Sequence, residues 1–253
     1  MMDYHIHTLG HMDREQTADT LRAFLEKAQT ANLRELGFAE HEDYIDHIKP
    51  DLIRCVADEF PNLSVKIGIE VNYRPDRLTE IEAVTRYFPW DYVIGSVHQI
   101  GDWAFDHPAE IEGYIGWDID ELYRVYYHTL EQAVRSGFFQ IVGHLDVIKV
   151  FGYRSQKDPV HLADRCLHAI KEMDVCVEVN TNGWYKPVSE LYPEPKILKQ
   201  CFNMDIPITL GSDAHHEDHV GRDFVYAKAL IEAIGYNQLA GFHRGIRYLR
   251  PYR

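Results

Sequence analysis

The chain has 253 residues, 45% of them hydrophobic and 26% charged, which supplies enough apolar material for a full core. Lysine and arginine number 26 against 40 aspartates and glutamates, a net charge of −14. Such a surface repels a phosphate backbone and argues against long nucleic acid as a partner unless bound metal or a local basic patch reverses the field. No apolar run approaches the ~18 residues of a membrane span, and Met1, Met2 and Asp3 provide neither the basic flank nor the apolar stretch of a signal peptide. A cytoplasmic chain is expected.

In chain order, short apolar runs over 3–7, 35–40, 65–72, 92–98, 140–146, 175–181 and 206–212 read as strands. Most are continuous rather than alternating, the pattern of strands buried on both faces of a parallel sheet. Helical periodicity lies between them. Residues 17–31 place Leu21, Phe24, Leu25 and Ala28 on one face. Residues 118–136 open on capping aspartates and close at Gly137, and 218–234 carry Val220, Phe224, Ala227, Leu230, Ile231 and Ile234. Seven strand-then-helix units predict an α/β barrel. With no linker or repeat, one domain over 1–253 is expected. The Pro-bearing stretch 184–195 reads as a loop over the barrel mouth, and the apolar stretch 246–249 as packing on the barrel bottom or edge. Four scattered cysteines (Cys55, Cys166, Cys176, Cys201) form no CxxC pair and are expected as buried thiols.

Fifteen histidines are the anomaly in this composition. His5 and His7 close the first strand, Glu40 and His41 the second, and Glu70 lies near the end of the third. His98 ends the fourth, His144 and Asp146 the fifth, Asn180 the sixth, and Asp213 and His215 follow the seventh. In a parallel barrel these ends converge on one rim, where such barrels place their chemistry. Neutral imidazoles and carboxylates gathered there are the ligand types of divalent transition metals. Glu70, a charge inside an apolar run, would cost several kcal/mol if buried unpaired, which a carboxylate bridging two cations would explain. Asp3 or a backbone carbonyl is available to hold one imidazole in its ligating tautomer. Singly, each histidine reads more readily as a hydrogen-bonded core or rim residue; it is the conjunction that points to metal. His47, His107, His128, His161, His168, His219 and His243 fall in loops or on helix faces and read as solvated, while His216 stays unassigned.

The ordered segments Asp3-x-His5-x-His7, Ala39-Glu40-His41, Gly68-Ile69-Glu70, Gly95-Ser96-Val97-His98, Gly143-His144-Leu145-Asp146, Glu178-Val179-Asn180-Thr181 and Gly211-Ser212-Asp213-Ala214-His215 resemble the PHP (polymerase and histidinol phosphatase) superfamily, and most closely its stand-alone histidinol phosphatases. The resemblance spans residues 3 to about 225. It implies a distorted (β/α)7 TIM-like barrel holding two to three divalent ions of zinc, iron or manganese. By the same resemblance His5, His7, Glu70 and Asp213 would hold one ion. Glu70 would bridge to a second on His98 and His144, and His11, His41 and His215 would hold a third, with Glu40 as a substitute ligand.

The implied activity is hydrolysis of a small phosphorylated metabolite, L-histidinol phosphate first among them, with Glu70 and Asp213 central and Asp146 or a metal-held water protonating the leaving group. Two departures weaken the substrate assignment. Tyr185 and Lys149 stand where such phosphatases usually carry arginines, and a lysine attracts phosphate only as a point charge. Lys149, Lys186, Arg154 and Arg222 are the candidates to compensate, and each reads equally as a solvated charge. Trp184, Tyr185, Tyr192, Trp103 and Trp117 would either shape a pocket for the organic moiety or anchor long loops. A phosphodiesterase or exonuclease, and a metal-binding module without turnover, remain the alternative readings.

Overall fold

The computed structural model describes residues 1–252. Its seven parallel strands follow the apolar runs: β1 (Met2–Asp3), β2 (Glu35–His41), β3 (Ser64–Asn72), β4 (Tyr92–Ser96), β5 (Ile141–Val142), β6 (Cys176–Asn180) and β7 (Ile208–Gly211), paired in chain order. Helices join them: α1 (Ala18–Thr30), α2 (Pro50–Ala57), α3 (Leu78–Tyr87), α4 (Ile119–Arg135), α5 (Pro159–Glu172), α6 (Pro195–Asn203) and α7 (Phe224–Ile234). The seam between first and last strands is drawn together by backbone bonds, Tyr4 N to Leu210 O (2.9 Å) and His7 N to Ala214 O (2.9 Å). The result is the (β/α)7 barrel the sequence predicts.

Helix ends follow local chemistry. Thr17 Oγ1 accepts from Thr20 N (3.1 Å) to start α1, and Asp118 Oδ1 accepts from Glu121 N (3.0 Å) to start α4. α7 begins later than its periodicity suggests, because Glu217–His219 forms a separate short 3-10 turn. β1 and β5 are shorter than their apolar runs: past Asp3 and Val142 the regular ladder gives way to single backbone contacts such as the bridge between Ile6 and Ala214. Among the described residues no helix is long and apolar enough to cross a membrane. Cys166, Cys176 and Cys201 are buried as expected, but Cys55 is exposed on α2.

The chain ends in an antiparallel hairpin of β8 (Gln238–His243) and β9 (Ile246–Pro251). Its packing comes from β8, whose Leu239, Ala240 and Phe242 are buried, whereas Ile246 and Leu249 are exposed. The expectation that 246–249 supplies the apolar contact is therefore corrected: β8 supplies it, and within 246–249 only Arg247 and Tyr248 are partly buried. Tyr248 and Arg250 of β9 instead reach the buried Glu35, each at 2.5 Å.

Parallel register sets the rim. His41 pairs with Glu70 and Glu40 with Ile69 across β2 and β3, so His41 and Glu70 share one face while Glu40 faces the other. Along the Glu70 face lies Gly68, where an added Cβ would sit 2.4 Å from the Tyr92 ring; one on Gly37 would sit 2.1 Å from the Tyr92 hydroxyl. Tyr92 is fully buried and its hydroxyl donates to Tyr4 O (2.7 Å), so the ring cannot swing aside. Gly68→Ala is expected to destabilise the fold by about 1–3 kcal/mol through overpacking. Urea denaturation measures this, and an unchanged midpoint would contradict it.

Candidate metal centre

Glu70 is 2% exposed and lies among five imidazoles. Its two oxygens face different partners. Oε1 lies 3.0 Å from His144 Nε2 and 3.3 Å from His98 Nε2, and accepts from Ser96 Oγ (2.7 Å). Oε2 lies 2.9 Å from His41 Nδ1, 3.3 Å from His5 Nε2 and 3.6 Å from His7 Nε2. Asp213 adds Oδ1 at 3.4 Å from His7 Nε2 and 4.0 Å from His5 Nε2. His41 and His215 approach through their Nε2 atoms at 3.4 Å. The exposed ring of His11 lies 4.4 Å from that of His215, centre to centre.

Three overlapping sets bring their ligand atoms within 4.8 Å of one another: His5, Glu70 and His144; His5, His7 and Asp213; and His7, His41 and His215. Ligands about 2.0–2.2 Å from one ion lie close enough together for such sets to hold divalent cations. The hydrogen-bond pattern fits the same conclusion. His5 Nε2, both nitrogens of His7 and His144 Nδ1 are buried without a hydrogen-bond partner, a costly arrangement for polar atoms unless something else engages them. A donor set of imidazoles and carboxylates suits zinc, iron or manganese.

Electrostatics within the cluster are strongly coupled. Burial alone would raise Glu70, but His5 and the hydrogen-bonding imidazoles of His144 and His41 hold it well below the usual carboxylate range. Burial and the neighbouring His41 and His215 hold His7 well below the ordinary imidazole value, and burial brings His215 down to about 4. Both are therefore neutral at neutral pH, the form that binds metal.

Two acids that the sequence reasoning does not assign hold imidazoles in place. Glu178 Oε1 accepts from His5 Nδ1 (2.6 Å), and its Oε2 from His144 N (2.7 Å). Asp106 Oδ2 accepts from His98 Nδ1 (2.6 Å). Each leaves the Nε2 of its histidine directed at Glu70. Gly211 makes room for Glu178, whose Oε1 would meet an added Cβ at 1.8 Å. The signal for Glu178 was present, a charge inside the apolar run Cys176–Asn180; that for Asp106 was not, since it lies in a loop. Asp3 does not hold an imidazole side chain. Its carboxylate accepts from Ser212 N and Gly221 N, both at 2.9 Å, and ties the barrel seam. A backbone carbonyl does serve once, Asp213 O for His215 Nδ1 (3.0 Å).

Other expected residues lie apart from the imidazoles. Glu40 turns to the loop after β1, accepting from Thr8 N (2.7 Å) and Leu9 N (3.2 Å). Asp146 is buried against Lys149 Nζ (2.7 Å) and accepts from Glu194 N (2.9 Å). Lys149 is 1% exposed, not solvated, and also donates to Glu190 Oε2 and Leu191 O, both at 2.9 Å. Arg154 is engaged by Glu190 (2.5 Å) and Glu194 (3.2 Å). Together these charges tie down the segment carrying Tyr192, whose ring lies 6.5 Å from that of His144. Lys186 is exposed, while Arg222 stacks on Tyr185. Trp103 donates to Glu110 O (3.0 Å) and packs on Tyr114 and Trp117, as a loop anchor does. Six of the seven histidines read as solvated are exposed, and His219 is half-buried.

The chain belongs to the PHP domain family, whose pattern matches residues 3–182. Among its relatives is a probable histidinol-phosphatase of Deinococcus radiodurans, 36% identical and covering 96% of this chain and 97% of that protein. A histidinol-phosphatase of Lactococcus lactis is 26% identical over 95% of this chain and 94% of its own length. A crystal structure of histidinol phosphate phosphatase from Lactococcus lactis, complexed with zinc, L-histidinol and phosphate, superposes with a TM-score of 0.77 at 24% identity. It covers 96% of this chain and 97% of that one.

Replacing the carboxylates that hold the ligating imidazoles, by Glu178→Gln or Asp106→Asn, is expected to weaken metal affinity about 10–100-fold. Competition with a metallochromic chelator measures this, and wild-type affinity in both variants would contradict it.

Proposed function

We propose that the chain is a metal-dependent phosphomonoesterase that converts L-histidinol phosphate to L-histidinol and phosphate in histidine biosynthesis. One observation carries the phosphatase reading: a buried carboxylate, Glu70, directs its two oxygens at two different sets of imidazoles. The names borne by full-length relatives at 36% and 26% identity support the substrate. The partner is a small phosphorylated metabolite, the location is the cytoplasm, and residues 1–253 act as one domain.

In this reading His5, His7, Glu70 and Asp213 hold one ion. Glu70, His98 and His144 hold a second, and His11, His41 and His215 a third. Two or three zinc, iron or manganese ions supply Lewis acidity towards water and the phosphoryl group. The protein's part is to keep its imidazoles aimed, through Glu178, Asp106 and the Asp213 carbonyl. Tyr192, pinned by the Lys149 network, walls off the His144 side. Asp146, expected as a leaving-group acid, is paired with Lys149.

Chelator-stripped protein is expected to lose hydrolysis of histidinol phosphate and to regain it with manganese or zinc; activity unaffected by stripping would overturn the reading. Glu70→Gln and His98→Ala are expected to cost about 10²–10³-fold or more in kcat while leaving the circular dichroism spectrum unchanged. Faster turnover of bis-p-nitrophenyl phosphate than of p-nitrophenyl phosphate would favour the phosphodiesterase alternative.

A further inference from the structure

Four cations were candidates to face the substrate phosphate, and the structure separates them. Lys149 and Arg154 are spent on Asp146, Glu190 and Glu194. Lys186 is exposed and its ammonium has no acceptor within hydrogen-bond distance among the described residues. Arg222 differs from all three. Its guanidinium carbon lies 3.3 Å from the centre of the Tyr185 ring, a cation–π stack that fixes the plane of the fork. Nη2 donates to Asn182 Oδ1 (3.0 Å), and Asn182 Nδ2 donates in turn to Asp213 Oδ2 (3.0 Å). The guanidinium is thus two hydrogen bonds from a carboxylate of the metal cluster. Among the described residues no carboxylate comes within ion-pair range of it, and its Nε is buried without a partner. Burial lowers its pKa, against the opposing pull of Tyr185, Asp223 and Asp213.

The support beneath Arg222 is built as well. The Tyr185 hydroxyl donates to the carboxylate of Asp223, whose backbone is held in the left-handed region at φ 59°. That turn brings Arg222 and the ring together from two separate segments. A guanidinium this flat, charged and lacking an anion is suited to a bidentate oxyanion.

We propose that Arg222 is the guanidinium that receives the substrate's phosphoryl group, with Tyr185 as the positioning residue that sets its plane. Tyr185 thereby takes part in phosphate binding through a neighbouring arginine in place of being one. This rests on the phosphomonoesterase reading, but its probe can be inorganic phosphate alone.

The test is phosphate binding to metal-loaded protein by calorimetry, with metal content and steady-state kinetics measured on the same samples. Arg222→Met is expected to weaken phosphate about 10–100-fold and to raise KM for the phosphomonoester more than it lowers kcat. Metal content should stay at the wild-type level. Arg222→Lys should recover part of the affinity as a point charge, and Tyr185→Leu should weaken phosphate while Tyr185→Phe, which keeps the ring, should weaken it less. Wild-type phosphate affinity in Arg222→Met would overturn the proposal. So would loss of metal in that variant, which would make Arg222 a support for Asp213. Should the wild type bind metal and phosphate yet hydrolyse no phosphomonoester, the phosphatase reading fails while the assignment of Arg222 is still decided by the binding data.

Discussion

A carboxylate taken out of water is stable only where opposite charge or hydrogen-bond donors replace its hydration. Glu70 is the residue at which this constraint acts most strongly. It sits on β3 with Ser96 donating to one oxygen and imidazoles from four segments of the chain approaching both. Once Glu70 is placed, the register of β2 fixes His41, and the seam bonds of the segment following β1 fix His5 and His7. The unpartnered Nε2 atoms of His5 and His7 lie 3.3 Å and 3.6 Å from it. The simplest account of a buried acid with its oxygens aimed at two imidazole sets is that cations belong on both sides of it.

The wider rim is organised to keep those imidazoles still. Glu178 engages the side chain of one histidine and the backbone of another, so that β6 locks the segment following β1 to the turn after β5. The Asp146, Lys149, Glu190 and Arg154 network secures the segment bearing Tyr192. Breaking a buried pair of this kind by removing one partner leaves an uncompensated charge, so its integrity matters to the site even though none of its members is among the imidazoles. At the opposite end, Tyr92, Phe242 and the Glu35 cluster close the barrel and carry the hairpin. Stability and chemistry are thus concentrated at different ends of the strands.

Much of this was legible in the sequence because parallel strands announce themselves as continuous apolar runs, and ligand-type residues at their ends then have only one place to meet. Glu70 stood out as a charge in such a run; Glu178 carries the same mark on β6. What periodicity could not reveal was direction. Glu40 and His41 are adjacent, yet register sends one to a loop and the other to the cluster. Lys149 reads as an ordinary charge, and only the folded chain shows it buried against three acceptors. Asp106 comes from an irregular loop eight residues past His98, and the stacking of Arg222 on Tyr185 joins two separate segments; no periodic pattern encodes either contact. The shortness of β1 and β5 also escaped, because apolar residues continue past the last sheet bond into the rim.

The central claim is that Glu70 bridges two ions. Anomalous diffraction from crystals of the purified protein, collected above and below the absorption edges of zinc, iron and manganese, addresses it directly. The account predicts separate peaks on either side of the Glu70 carboxylate, one against His98 and His144 and one against His5, His7 and Asp213. Peaks confined to one side of Glu70, or none within coordinating distance of it, would contradict it.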